Sequence, residues 1–278
     1  MSTQICDTDS LTSLFHLIRL RGGAAGGAAD GSDTSRKIEQ IKAYLTLIDA
    51  ALRGVSRKRT LTFVESAAGN CYLSFLVYYE YAVHRGLDME IHCIDSNGRL
   101  IENASRTATT LGFAGMHFHH CDILGPTPMT RADVTYTLHA CDAATDKALF
   151  LGMSLNASTI LSVACCQHGP LRSFHNHGLK GMTRYKAFRE RLVYMVADTM
   201  RANLLARNGY RVDVFDFTSS RNTDKNTMLR ARRTNRVASE RLRDEYDSLR
   251  TRFRFEPELA RLLDGTGSRR GTRETEST

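Results

Sequence analysis

The 278-residue sequence contains no apolar run of membrane-spanning length. Its longest, around Tyr72 to Val83, is interrupted by Ser74 and Glu80, whereas a spanning helix needs about 20 apolar residues. Seven cysteines lack the short, regular spacing of a disulfide scaffold, and no signal-like segment precedes them. The expectation is a soluble cytoplasmic protein with reduced thiols. No internal repeat is visible, which excludes solenoids and arrays. No Gly-x-Gly-x-x-Gly follows the first apolar strand, which argues against a nicotinamide dinucleotide.

What is present begins with an ordinary apolar content of 42%, enough for a sizeable core. The net charge of +8 is unevenly placed: Pro170 to Arg236 carries fifteen Lys/Arg against five Asp/Glu. Clustered cations raise local affinity for polyanions, so a polyanion such as nucleic acid is the expected partner, with a solvated helical face as the bland alternative. No obligate protein partner is inferred.

Apolar spacing predicts a short helix within Met1–Arg21, a flexible Gly22–Ser32 linker and a helix over Lys37–Leu52. Five strands then alternate with helices: Leu61–Val64, Met89–Ile94, Met116–Cys121, Ala132–Leu138 and Ser158–Ala164. A long helix over Tyr185–Asn208 precedes two strands, Val212–Phe217 and Asn226–Ala231. Arg236–Leu263 reads as a charged helix and Gly265–Thr278 as a disordered tail. This pattern predicts an α/β, doubly wound, seven-stranded sheet, mostly parallel, with an antiparallel closing hairpin. The expected division is an N-terminal extension over 1–36, a main domain over 37–235 and a C-terminal extension over 236–278.

Open α/β sheets bind ligands beyond the carboxyl ends of their strands. Here those ends carry Glu65, Asp95, Asp122, His139 with Asp142, and Cys165 to His168. Any one strand-end Asp alone often caps the next helix; five polar tips in order point to a site. Asp95 is placed to accept from a ribose diol, and Asp122 from an adenine amine. Glu65 and Gly69 would contact the ligand near the first turn, where small residues let backbone approach closely. Accumulated carboxylates suit a cationic sulfonium better than a pyrophosphate.

Three stretches carry a resemblance: Glu65-Ser-Ala-Ala-Gly-Asn-Cys-Tyr-Leu-Ser-Phe75, Ile94-Asp95-Ser96, and His139-Ala-Cys-Asp-Ala-Ala-Thr-Asp146 with Cys165-Cys-Gln-His168. Over roughly Lys37 to Arg233 the chain resembles class I S-adenosylmethionine-dependent methyltransferases, most of all the methyltransferase-like 25 proteins. A pair similar to the last marks the tRNA acceptor-stem 2′-O-methyltransferases, and Thr223–Ala231 resembles the family's closing hairpin. The resemblance implies a Rossmann-like fold and methyl transfer to RNA, either tRNA or rRNA. It implies S-adenosylmethionine held by Glu65, Ala67, Gly69, Asn70, Asp95, Ser96, Asp122, Ile123 and His139, with His139 and Asp142 facing the methyl group.

A hydroxyl acceptor requires proton removal, which a His or Asp can perform; a ring nitrogen with a free lone pair requires only alignment. Cys165, Cys166 and His168 are expected to face substrate. Their spacing matches no standard zinc pattern, and no metal is expected. The first and third glycines of the usual loop are Ala67 and Cys71 here, and its common lysine is Asn70. Two other readings therefore stand beside an RNA enzyme. One is an inactive RNA-binding or assembly factor that keeps the fold. The other is a methyltransferase for a protein or small molecule; the absence of an Asn/Asp-Pro-Pro-Tyr run argues only against amino-group methylation of bases.

Overall fold

The computed structural model describes residues 7–21, 31–166, 178–218, 226–234 and 239–271. Its strands are β1 (Leu61–Ser66), β2 (Met89–Asp95), β3 (Met116–His120), β4 (Val134–Cys141), β5 (Thr159–Cys166), β6 (Tyr210–Asp216) and β7 (Thr227–Arg233). They form one sheet of order β3-β2-β1-β4-β5-β7-β6. β1 to β5 pair in parallel. β7 runs antiparallel between β5 and β6, so the expected closing hairpin is inserted with its second strand innermost.

The helices are α1 (Thr8–Arg21), α2 (Gly31–Ala51), α3 (Tyr72–Tyr78), α4 (Gly98–Leu111), α5 (Ala143–Ser154), α6 (Lys180–Thr183), α7 (Lys186–Arg207), α8 (Glu240–Phe253) and α9 (Glu258–Gly271). A six-residue π-helical turn, Tyr79–His84, prolongs α3. α4 shows why these boundaries fall where they do. The Asn97 side chain accepts from the Leu100 amide at its start, and Gly112 ends it at φ 70°, a conformation that glycine adopts without a Cβ penalty.

Successive β1 residues point to opposite faces. Leu61 and Phe63 enter a core with α1 to α4, whereas Val64 enters one with α5, α7, α8 and α9. Burial on both faces explains why β1 and its parallel neighbours read as continuous apolar runs. The second layer also holds a buried ion triad. Arg201 of α7, fully buried, donates to both Asp146 oxygens at 2.8 and 3.1 Å and to Asp198 at 3.1 Å.

The structure refines four expectations. α1, read as the helix of an N-terminal extension, packs on the sheet layer: Leu11 and Phe15 are fully buried in the first core, and Phe15 meets the Tyr72 ring edge-on at 5.1 Å. α2 begins at Gly31, inside the segment read as linker; residues 22–30 of that linker lie outside the described residues. The charged C-terminal segment is two helices, broken at Arg254, which takes φ 46°. Phe253, Phe255 and Leu259 bury this pair against the second core. α9 also runs to Gly271, through residues read as a disordered tail; 272–278 are outside the described residues.

Candidate functional site

Strand order reverses between β1 and β4, and the crevice beyond their carboxyl ends is where such sheets take ligands. The segment after β1 is tightly wound there. Ala67, Gly69 and Cys71 have φ of 54°, 53° and 56°. Two non-glycine residues thus occupy the left-handed region, each at a cost of about 1–2 kcal/mol. The two Cβ atoms that the sequence places in this loop are accommodated by strain. A Cβ on Gly69 would meet no atom within 4 Å, so backbone conformation rather than crowding favours glycine there.

Beside this loop lies a cleft of about 170 Å³, smaller than the ordinary range for small-ligand sites. Glu65, Ala68 and Asn70 line it from the β1 tip and loop, Leu138 from β4, and Phe15, Lys37 and Gln40 from α1 and α2. The last three were missed in the sequence. Leu11, Phe15 and Ile18 mark an apolar helix face, but nothing in that pattern names what the face covers.

Glu65 is buried, and its carboxylate accepts from Ser74 at 2.5 Å. The Ser74 hydroxyl also lies 2.7 Å from the Tyr136 hydroxyl. Burial pushes the Glu65 carboxyl up to about 8; hydrogen bonds from Ser74 oppose this, and the nearby Asp95 charge adds to it. A cationic group entering the cleft would favour the carboxylate and draw that proton off.

Asp95 ends β2. One of its oxygens accepts the Gly69 amide and the other the Asn97 amide, both at 2.8 Å. These bonds tie the loop to the neighbouring strand tip while leaving lone pairs on the carboxylate. Ser96 offers its carbonyl to the His120 ring at 3.1 Å. Asp122 lies two residues beyond β3. It accepts from Lys147 at 2.6 Å and the Leu124 amide at 3.0 Å, and the Lys147 ammonium holds it below the usual carboxylate range. Ile123, next along, is buried.

At the β4 tip the backbone is irregular. Register shifts against β5 occur from Leu138 to Ala140 and from Ala140 to Cys141, which places His139 in a bulge. Bulges near active sites re-aim the chain; the His139 side chain is outside the described residues. Asp142 follows at φ 48° and ψ −123° and does not cap α5 with its side chain. The alternative reading of this carboxylate as a helix cap is thereby removed. Thr145 instead bonds the Ala140 carbonyl at 3.1 Å, and Asp146 belongs to the buried Arg201 triad. Cys165 and Cys166 end β5, with Cys166 in register with Cys141; their side chains, and all of His168, are outside the described residues.

This donor set suits an adenosyl cation. Carboxylates stand at successive tips, a buried carboxyl walls the cleft, and the loop beside it presents backbone rather than bulky side chains. Residues 36–171 match the sequence profile of a family described as a methyltransferase domain. No curated protein matches the sequence. Among solved structures, the chain is similar to a magnesium protoporphyrin IX methyltransferase from Synechocystis with bound S-adenosylhomocysteine. That likeness has 14% identity and a TM-score of 0.47, covering 82% of this chain and 100% of the other. It is also similar to the CurJ carbon methyltransferase, at 11% identity and a TM-score of 0.49, over 83% and 62% of the two chains. A geranyl diphosphate C-methyltransferase from Streptomyces coelicolor gives 10% identity and a TM-score of 0.44, over 78% and 84%. The profile match leads to one conclusion: residues 36–171, just under half of the chain, carry a methyltransferase domain, set in a mostly parallel seven-stranded α/β sheet.

Proposed function

We propose that this domain methylates RNA, with S-adenosylmethionine seated along the β1, β2 and β3 tips. In this reading Asp95 takes the ribose hydroxyls, while Asp122, Ile123 and Ser96 border the adenine. Glu65, Ala67, Gly69 and Asn70 surround the methionine end. His139 and Asp142 face the methyl group, and one of them removes the proton when the acceptor is a hydroxyl. Cys165, Cys166 and His168 border the acceptor. The strained backbone at Asp142 supports this placement, since such strain concentrates at functional sites. The likeness of His139–Asp146 and Cys165–His168 to methyltransferase-like 25 proteins and tRNA 2′-O-methyltransferases supports the RNA substrate.

The observation that carries the RNA assignment is a surface on α6 and α7. Tyr185 and Phe188 are about half exposed, with ring centroids 5.8 Å apart, and Met182 is exposed beside them in sequence. Arg184 lies over the Tyr185 ring at 4.7 Å, and Lys180, Lys186, Arg189 and Arg191 are exposed on the same short stretch. β5 delivers the chain at its carboxyl end, and α7 returns it to the opposite end, where β6 begins. The start of α7 therefore stands on the rim that bears the cleft. Aromatic rings among cations are how single-stranded nucleic acid is held, each stacked base contributing about 1–3 kcal/mol.

The experiment measures labelled-methyl transfer from S-adenosylmethionine to total RNA, alongside RNA binding at rising salt. Transfer should require RNA, and affinity should fall steeply with salt. Replacing Tyr185 and Phe188 with Ala together should weaken RNA binding roughly 10- to 100-fold. Cofactor binding without RNA-dependent transfer would redirect the reading to a protein or small-molecule acceptor. Absence of cofactor binding would favour an assembly factor.

A further inference from the structure

At the β3 edge, away from the cleft, the sheet carries a ladder of histidines. His92 on β2 and His117 on β3 are register partners, their rings stacked at 4.9 Å and 26°. Glu90 lies two residues before His92 and so on the same face. His119 lies two beyond His117, its ring 5.2 Å from His92. The opposite face of these strands is covered by α4. The connection from β3 to β4, residues 121–133, returns past the histidine face without a helix. That leaves His117 and Glu90 41% and 47% exposed, above a His92 that is only 9% exposed.

We propose that Glu90, His92 and His117 bind a divalent transition-metal ion, with zinc(II) as the ion to test. One donor atom from each lies within 4.8 Å of the others. The His92 and His117 Nε2 atoms stand 3.8 and 4.0 Å from the Glu90 carboxylate. Ligand bonds of about 2.0–2.2 Å require donor separations near 3.3 Å. The closure needed is about half an ångström to somewhat over one, within reach of rotations of the two exposed side chains. Two imidazoles and a carboxylate form a known set for zinc and for non-haem iron, leaving positions for water.

The neighbouring ring supports the assignment independently. His92 Nδ1 lies 3.0 Å from His119 Nε2, so one of the two nitrogens carries the shared proton. With a metal on His92 Nε2, the proton sits on Nδ1 and is donated to His119. Ligating histidines usually make such a bond through the second nitrogen, and it fixes tautomer and orientation.

The test is titration of the purified full-length chain, stripped with chelator, with zinc(II) followed by calorimetry and with cobalt(II) followed by absorption. One equivalent should bind and raise the melting temperature. His117→Ala and Glu90→Gln, both at exposed positions that do not hollow the core, should each weaken binding at least 10-fold while circular dichroism stays unchanged. His119→Leu should weaken it about 10-fold, and His119→Gln, which restores an acceptor, should recover most of that loss. The cobalt spectrum should lack a thiolate charge-transfer band. No binding at micromolar metal, affinity indifferent to His117→Ala and Glu90→Gln, or a thiolate band that assigns the ion to cysteines would each overturn the proposal.

Discussion

The 65–71 loop and the 139–146 segment follow the two strands that flank the sheet's reversal, yet they use their residues differently. The loop stays at the rim throughout: strained backbone at Ala67 and Cys71, a carboxyl at Glu65 forming the cleft wall, and an amide at Gly69 held by Asp95. The later segment divides. His139 to Asp142 remain at the strand tip, while Thr145 and Asp146 turn inward to bind backbone and a buried guanidinium. A run that reads as one signature in sequence is half rim and half scaffold.

The strongest way to test that division is Arg201→Met. It leaves Asp146 and Asp198 buried without their cation, and breaking such a network costs about 3–5 kcal/mol. Urea denaturation should show that loss, whereas a stability within about 1 kcal/mol of wild type would make the triad incidental. Asp95→Ala should act on the ligand instead. Losing a charged acceptor removes about 2 kcal/mol of cofactor binding, roughly 30-fold in Kd by calorimetry, with the fold retained. Unchanged affinity refutes the ribose role.

Glu65 offers a finer comparison through pH. Its carboxyl keeps its proton to about 8 in the folded chain, against an ordinary 4.5. The unfolded state therefore sheds its proton first. The stability this provides is complete below about 4.5, declines as pH rises and is gone above about 8. The slope is at most about 1.4 kcal/mol per pH unit. Denaturation curves of wild type and Glu65→Gln should diverge across that window, and parallel curves would refute a proton held by burial. The smallest effect is expected for Ala67→Gly, where relieved left-handed strain outweighs added chain entropy by about 0.5–1 kcal/mol. A destabilised variant would mean that the Ala67 methyl packs usefully.

Much of the fold was legible because parallel strands buried on both faces announce themselves as apolar runs, and their polar tips then fall in order. The positions of Asp95 and Glu65 at strand tips were readable for the same reason: a carboxylate closing an apolar strand stands out. The contribution of α1 was hidden, since an amphipathic face specifies burial but not its partner. Ser74 and Tyr136 were hidden too, being single hydroxyls inside apolar runs that become a chain only when β1, α3 and β4 meet. Asp146 looked like part of the reacting signature because its partner, Arg201, lies 55 positions away. The histidine ladder escaped notice because its members alternate with apolar residues, as any half-exposed strand does.

Phe15 has a practical consequence for how this molecule is handled. Trimming the chain to the profile-matched residues 36–171 would discard the ring that closes one side of the cleft, and with it the edge-on partner of Tyr72. Such a fragment would also lose Arg201, stranding Asp146. Weak ligand retention by so shortened a piece would report the surgery rather than the enzyme.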